Sequence, residues 1–244
     1  MTTTPTETGA APAPMGLVSR FIGVITSPKA TFEAVVANPK WLGMLALTTT
    51  LMAVCVALPR TTPEGKQAAF EESLRQMENF GVQVNDQMYA QMQQQSQSNR
   101  GAIFAAVGVL VAGPIFTAIF AGILFGIFTL FGGQATFKQA FAVYVHSGVI
   151  GTLAQLFTGP LNFFRGSVSS ATNLAVALPM IDEKSFLGHL FGMIDLFWVW
   201  GLIVLAIGFA TLYRRKTAPI ANTFLGIYAV IILCIAGVMS ALGR

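Results

Sequence analysis

Residues 103–131 have the sequence IFAAVGVLVAGPIFTAIFAGILFGIFTLF, an apolar run without a charged side chain. A helix needs about 20 mostly apolar residues to cross the hydrocarbon core of a bilayer, because the core is about 30 Å thick and each residue rises about 1.5 Å. This run is long enough to cross with a tilt or a kink. Pro114, which lacks a backbone donor, is the expected kink point. The stretch therefore predicts an integral membrane protein.

The composition of the whole chain supports this prediction. Of its 244 residues, 54% are hydrophobic and 10% are charged, and the mean hydropathy is +0.67. Soluble domains have about a quarter of their residues charged. The net charge of +4 does not indicate nucleic acid as a partner, because the 14 Lys and Arg residues lie at the ends of apolar runs, as in membrane proteins.

Four other apolar runs are long enough to cross the membrane. The five predicted spans are 41–58, 103–131, 137–158, 186–212 and 219–241. The third is the least hydrophobic because it contains several polar side chains. The sequence thus predicts an all-α membrane protein, with a bundle of about five transmembrane helices over residues 41–244.

The N-terminal segment precedes the first predicted span. Residues 1–14 are rich in Thr, Pro and Ala and are predicted to be a disordered tail. Residues 15–40 are predicted to form amphipathic helices, because Leu17, Phe21 and Ile25 recur on one helical face. Two interpretations have equal weight: the helices lie in the membrane interface, or they form a soluble pair that covers the bundle.

A polar segment, 60–100, separates the first two spans. Phe70 and Leu74 lie one helical turn apart, which indicates an exposed amphipathic helix. A second short helix through Met88 is compatible with the pattern, whereas the Gln-rich stretch 91–97 is typical of a solvated linker. We predict a helical loop outside the membrane.

The basic residues indicate the orientation. Arg214, Arg215 and Lys216 occur together in the short connection between the fourth and fifth spans, which is a strong mark of a cytoplasmic loop. By alternation, the N terminus and Lys138 are cytoplasmic, while the 60–100 loop and the C terminus lie across the membrane. The predicted location is a bacterial inner membrane.

Three motifs, in this order, resemble those of the bacterial branch of the Yip1 family. They are SPKATFE at 27–33 with NPKW at 38–41, GGQATFKQ at 132–139, and DLFWVW at 195–200. The resemblance extends from about Arg20 to the end of the chain. It implies a five-helix bundle with a cytoplasmic N terminus and a C terminus across the membrane. Eukaryotic relatives are associated with vesicle trafficking and small GTPases, a role not expected to carry over to this chain.

Asp195 is a candidate functional residue because it is a carboxylate inside a predicted span, where an acidic side chain is costly. A structural role, as a hydrogen-bond acceptor or as the ion-pair partner of Arg165 or Lys184, is the favoured interpretation. A role in transport or proton transfer is the alternative.

His146 lies inside the third predicted span. It is a candidate partner of Asp195 in a proton relay, or a member of a polar cluster with Tyr144 and Gln155. A helix-packing contact is the simpler interpretation. A metal site formed with His189 has no supporting spacing, so no metal or other cofactor is predicted.

Two further residue classes are candidates for structural roles. Aromatic anchors at the membrane interface are predicted at Trp41, Trp198 and Trp200. Small residues that allow close helix packing, within the bundle rather than between protomers, are predicted at Gly122, Gly126, Gly188 and Gly192.

No motif of an enzyme active site occurs in the sequence, which makes an intramembrane enzyme the least supported class. The favoured function is a membrane-organising or partner-binding protein that contacts the lipid bilayer, membrane or extracytoplasmic proteins, or a second copy of itself. The alternative is a small-solute or ion transporter or channel that uses the polar residues of spans three and four. An odd number of spans without a clear inverted repeat disfavours it.

Overall fold

The computed structural model describes residues 15–79, 81–165, 171–182 and 185–241, and the predicted disordered tail lies outside them. These residues form eleven α-helices and no strand. The helices are α1 Leu17–Thr26, α2 Pro28–Ala37, α3 Leu42–Ala57, α4 Pro63–Asn79, α5 Asp86–Ser96, α6 Arg100–Leu130, α7 Phe137–Ser147, α8 Val149–Arg165, α9 Phe186–Met193, α10 Leu196–Leu212 and α11 Thr217–Ala241. The predicted all-α fold is confirmed.

Several helical segments are long and apolar enough to cross a membrane. They are Leu42–Thr61, Arg100–Leu130, Phe137–Asn162 and Thr217–Ala241. The third contains α7 and most of α8, and these two helices meet at the exposed Gly148. Helix α10 is apolar but has 17 residues, which corresponds to a length of about 26 Å.

The prediction of one continuous fourth span over 186–212 is wrong. Helix α9 ends at Met193, Ile194 and Asp195 have extended backbone angles, and α10 begins at Leu196. The physical reason is the side chain of Asp195, which accepts hydrogen bonds from the first backbone N–H groups of α10 and so caps a new helix. Hydropathy alone does not detect this break, because both flanking helices are apolar.

The buried core lies around α7 and α10. It joins Phe32 of α2, Met44 of α3, Val143 of α7, Ile150 of α8 and Phe209 of α10. All five side chains are almost completely buried. The third predicted span is the least hydrophobic because of its polar residues. It also has the largest buried share among the described helical segments that could cross a membrane.

Helices α7–α8 and α10 run antiparallel and very close together. A Cβ added at Gly208 would lie 2.6 Å from Cγ1 of Val143, and one added at Gly201 would lie 3.8 Å from Cγ2 of Ile150. From Val143 to Ile150 along α7–α8, the contact moves back from Gly208 to Gly201 along α10, which shows that the two run in opposite directions. Gly208 also lies against the ring of Phe32, so its missing side chain makes room for α2.

The two N-terminal helices pack on the bundle. Val24 and Phe32 are fully buried, and Thr31 lies so close to Gly23 that a Cβ there would collide with its hydroxyl. Val18 and Ile22 are exposed on the opposite side of α1. Docking of that exposed side in the membrane interface stays a prediction.

Helix α6 lies at the periphery against α3 and α7. Large apolar side chains are exposed along its whole length, among them Phe104, Val111, Phe116, Ile123 and Leu130. Such a face is suited to lipid. The helix continues through Pro114, and the kink expected there stays a prediction.

The polar segment forms a helical hairpin of α4 and α5, joined by an edge-to-face contact of Phe70 and Tyr89. The prediction of a linker at 91–97 is wrong, because α5 continues to Ser96. The side chain of Asn85 accepts a hydrogen bond from the backbone N–H of Met88 and caps this helix. Glutamine is a good helix former, so a Gln-rich stretch after a cap continues as helix.

Candidate functional site: buried polar joints of the bundle

Asp195 is 7% exposed and joins three segments. Its Oδ1 accepts hydrogen bonds from the backbone N–H groups of Phe197 at 2.8 Å and Trp198 at 3.3 Å. Its Oδ2 accepts a hydrogen bond from the hydroxyl of Thr172 at 2.6 Å. The carboxylate therefore caps α10 and ties it to the segment 171–177.

Backbone hydrogen bonds strengthen the same joint. The N–H of Leu174 donates to the carbonyl of Ile194, and the N–H of Leu196 donates to the carbonyl of Thr172. From the other side, the hydroxyl of Tyr228 on α11 donates to the carbonyl of Met193. These hydrogen bonds satisfy backbone groups that the interruption between α9 and α10 would otherwise leave unpaired.

His146 is fully buried and lies at a second joint. Its Nδ1 lies 2.7 Å from the carbonyl oxygen of Ala142, which can only accept, so Nδ1 carries the proton. Its Nε2 is then an acceptor, and Nη1 of Arg20 lies 3.3 Å from it. Nη1 of Arg20 also donates to the carbonyl of Lys40 at 2.6 Å.

Arg20 is the functional candidate that sequence reasoning missed. It is 9% exposed, its Nε has no hydrogen-bond partner, and no carboxylate pairs with it in the part of the chain that the structure describes. Burial lowers the pKa of its guanidinium below the ordinary value for arginine. A signal was present in the sequence: Arg20 lies on the same face of α1 as Leu17 and Val24, the face that packs inward.

The structure does not bring Asp195 and His146 together. The contacts of Gly208 with Val143 and of Gly201 with Ile150 set the antiparallel register of α7–α8 and α10. Continued along the helices, this register puts His146 opposite Leu205 and Asp195 opposite Leu156. Ten residues along a helix correspond to about 15 Å. Each side chain has its own hydrogen-bond partners, so the proton relay between them is wrong as a direct contact.

The predicted cluster of His146 with Tyr144 and Gln155 is not formed either. The Tyr144 ring is half-buried and stacks on Phe120, with ring centroids 6.5 Å apart. No hydrogen bond among the described residues joins Tyr144 or Gln155 to His146. Residues two apart on a helix point to different sides, so Tyr144 faces α6 while His146 faces α1.

The two candidate ion-pair partners of Asp195 are Arg165 and Lys184. The side chain of Arg165 and the whole of Lys184 lie outside the described residues.

No group of three metal-binding side chains occurs among the residues with described positions. His189 is partly buried, and its Nε2 has no hydrogen-bond partner.

The predicted aromatic anchors differ in exposure. Trp198 is 66% exposed at the start of α10, as an anchor requires. Trp41 packs edge-to-face on Phe141 at 5.0 Å between centroids, and Trp200 packs on Phe197 at 6.0 Å. Their role as membrane anchors stays a prediction.

The close packing predicted at glycines is partly wrong. A Cβ at Gly126 or Gly192 would meet no described atom within 4 Å, and one at Gly122 would meet only the ring of Phe137 at 3.9 Å. Gly188 is buried in α9. Gly122, Gly126 and Gly192 therefore have open space beside them, whereas Gly23, Gly133 and Gly208 make close contacts.

The motif at 132–139 forms a corner between two helix ends. Gly132 has a φ of +78°, and a Cβ at Gly133 would lie 2.5 Å from the ring of Tyr213. Arg215 donates to the carbonyl of Phe131 at 2.7 Å, which joins the ends of α6 and α10. The motif therefore requires glycine for a left-handed turn and a close approach.

The same motif then starts α7 with a reciprocal cap. The hydroxyl of Thr136 accepts from the N–H of Gln139, while Oε1 of Gln139 accepts from the N–H of Thr136. Nε2 of Gln139 also donates to the carbonyl of Val36 at 3.2 Å and ties α7 to α2. This capping box orients the central helix against the N-terminal pair.

Helices of membrane-spanning length, joined at buried caps and corners, define an all-α, multi-span membrane protein. The Yip1 domain family matches the chain over residues 22–239, and the protein belongs to this family. It is similar to the "Membrane protein YknW" of Bacillus subtilis (strain 168), with 24% identity over 220 residues, covering 89% of this chain and 87% of that protein. No solved structure matches the chain.

Proposed function

We propose that this protein acts as a non-catalytic, membrane-organising protein that binds a protein partner through its polar hairpin. The observation that supports the proposal is the use of the buried polar side chains. Asp195 caps α10, and His146 holds Arg20 against α7. Because both groups serve as contacts between helices, we favour a structural role for them over repeated exchange of a proton or solute.

The hairpin of α4 and α5 offers a surface for such a partner. Its exposed side carries Glu64, Glu71 and Glu78, whereas Phe70 is buried between the two helices. An acidic, solvent-exposed helix face can steer a basic partner surface toward it. The proposed orientation, with a cytoplasmic N terminus in a bacterial inner membrane, puts the hairpin on the extracytoplasmic side.

Site-specific photocrosslinking in native membranes tests the proposal. A crosslinker at the exposed Gln93 of α5 should give one adduct of defined mass, whereas a crosslinker at Val111, on the lipid face of α6, should not. The triple variant Glu64→Gln, Glu71→Gln and Glu78→Gln should lose the adduct.

The matched control for the charge change is Glu33→Gln, an exposed acid of α2 that is not part of the hairpin. This variant should keep the Gln93 adduct. The absence of any adduct at Gln93, or an equal loss in the control, would contradict partner binding by the hairpin.

A further inference from the structure

A cavity of about 610 Å³ lies where the hairpin meets the membrane segments. Its walls come from the end of the first span, from α4 and α5, and from the first turn of α6. The residues that matter for its chemistry are Arg60, Lys66, Phe70, Arg100 and Phe104. No carboxylate lines the cavity among the described residues.

The three cations of the cavity retain free donors. Nη1 of Arg60 donates to the carbonyl of Val56 at 2.6 Å, and Nζ of Lys66 donates to the carbonyl of Gln97 at 3.0 Å. Each of these bonds uses one of several N–H groups. The guanidinium of Arg100 forms no hydrogen bond or ion pair with any described residue.

The position of Arg100 is electrostatically unfavourable in the free protein. It is the first residue of α6, where the helix dipole is positive, and the N-cap residue Asn99 provides no side-chain hydrogen bond. Three cations and a helix N terminus therefore line one cavity that has no carboxylate among its described lining residues. A bound anion would accept hydrogen bonds from their free donors.

The surroundings indicate which anion fits. Phe104 lies one turn beyond Arg100 on α6, is 74% exposed, and begins the apolar face of that helix. A ligand with a negative headgroup at Arg100 could thus extend an apolar chain along Phe104. We infer that the cavity binds the phosphate of an anionic membrane lipid.

The orientation rule for basic residues does not explain this cluster. Positive residues are expected on the cytoplasmic side, and Arg214, Arg215 and Lys216 satisfy that rule at the other end of the bundle. In the proposed orientation, the cavity lies across the membrane, where basic residues are not needed for topology. A ligand accounts for their convergence in one cavity.

Native mass spectrometry of the purified full-length protein in detergent tests the inference. Phosphatidylglycerol and phosphatidylcholine with identical acyl chains are added separately, and inorganic phosphate is added in a third series. We expect preferential retention of phosphatidylglycerol. Arg100→Gln should weaken this binding about fivefold, since one basic residue near an anionic lipid contributes about that factor.

Two variants make the result specific. Arg75→Gln removes an equal charge from the exposed side of α4, where Arg75 pairs with Glu72 outside the cavity, and it should leave binding unchanged. Arg100→Lys keeps the charge and should retain most of the binding.

The inference is overturned by phosphatidylglycerol retention that survives Arg100→Gln, or that falls equally in Arg75→Gln. Binding of inorganic phosphate without any preference for phosphatidylglycerol would overturn the assignment to a lipid. Melting temperatures of all variants, measured in the same detergent, distinguish loss of the ligand from loss of the fold.

Discussion

The imidazole Nε2 of His146 lies 3.3 Å from Nη1 of Arg20 and fixes an N-terminal helix to the centre of the bundle. The contact joins α1 to α7 across 126 positions of sequence. Both residues are buried, with 9% of Arg20 and none of His146 exposed. This contact fixes α1 to the helices of the membrane domain.

Replacing His146 by Leu should destabilise the protein by about 2 kcal/mol, because a buried guanidinium then loses one of its two acceptors. The measurement is thermal or denaturant unfolding in detergent. The double variant Arg20→Met, His146→Leu should recover part of the loss, because exchanging both polar partners for apolar side chains leaves fewer unpaired groups. Additive losses in the double variant would contradict a coupled pair.

The cap at Asp195 gives a second prediction. Asp195→Ala should lower stability by about 1 kcal/mol, since the first N–H groups of α10 lose their acceptor. Asp195→Asn should retain most of the stability, because asparagine is also a good N-cap. Unfolding of both variants in the same detergent checks this difference, and equal stability of Asn and Ala variants would refute the capping role.

Two glycines of the bundle should respond in opposite ways to Ala. Gly208→Ala should cost about 1–3 kcal/mol because the new Cβ would overlap Val143 and press on Phe32. Gly226→Ala, in α11, should be neutral or stabilise by up to about 1 kcal/mol, because open space surrounds it and alanine favours helix. Melting temperatures compare the two directly, and a tolerated Gly208→Ala would contradict the close approach of α2 and α10.

The proposed orientation predicts which loops react with a membrane-impermeant thiol reagent. In a cysteine-free background, lacking Cys55 and Cys234, we expect labelling of Asn85→Cys in intact cells. Thr217→Cys should react only after the membrane is opened, because it follows the basic cluster Arg214–Lys216. Labelling of Thr217→Cys alone in intact cells would invert the topology.

The membrane segments could be predicted from sequence because hydropathy is a strong, additive signal over about 20 residues. Residues 103–131 correspond closely to α6, and 219–241 to α11. The three motifs that resemble the Yip1 family predicted the family, which the match over residues 22–239 confirms. Their structural reasons, such as the approach of Gly133 to Tyr213, became visible only in three dimensions.

The polar contacts could not be predicted because each depends on single residues from distant elements. The capacity of Asp195 to cap a helix competes with the helix-forming tendency of its apolar neighbours, and hydropathy does not resolve that competition. The contact of His146 with Arg20 could not be predicted either. The amphipathic pattern of α1 does not show which buried group its basic side chain meets. The sequence predicts that Gly122 and Gly126 allow close packing on α6, but it does not show whether a neighbouring helix lies against them.

We propose that the buried polar groups hold the bundle together and do not carry a transported species. The most direct test is proton and monovalent-cation flux into vesicles that contain the purified protein, compared among wild type, Asp195→Asn and His146→Leu. We expect flux equal to that of protein-free vesicles in all three. Flux in the wild type that disappears in Asp195→Asn, while its melting temperature is retained, would rule out a purely structural role of Asp195 and identify a transporter.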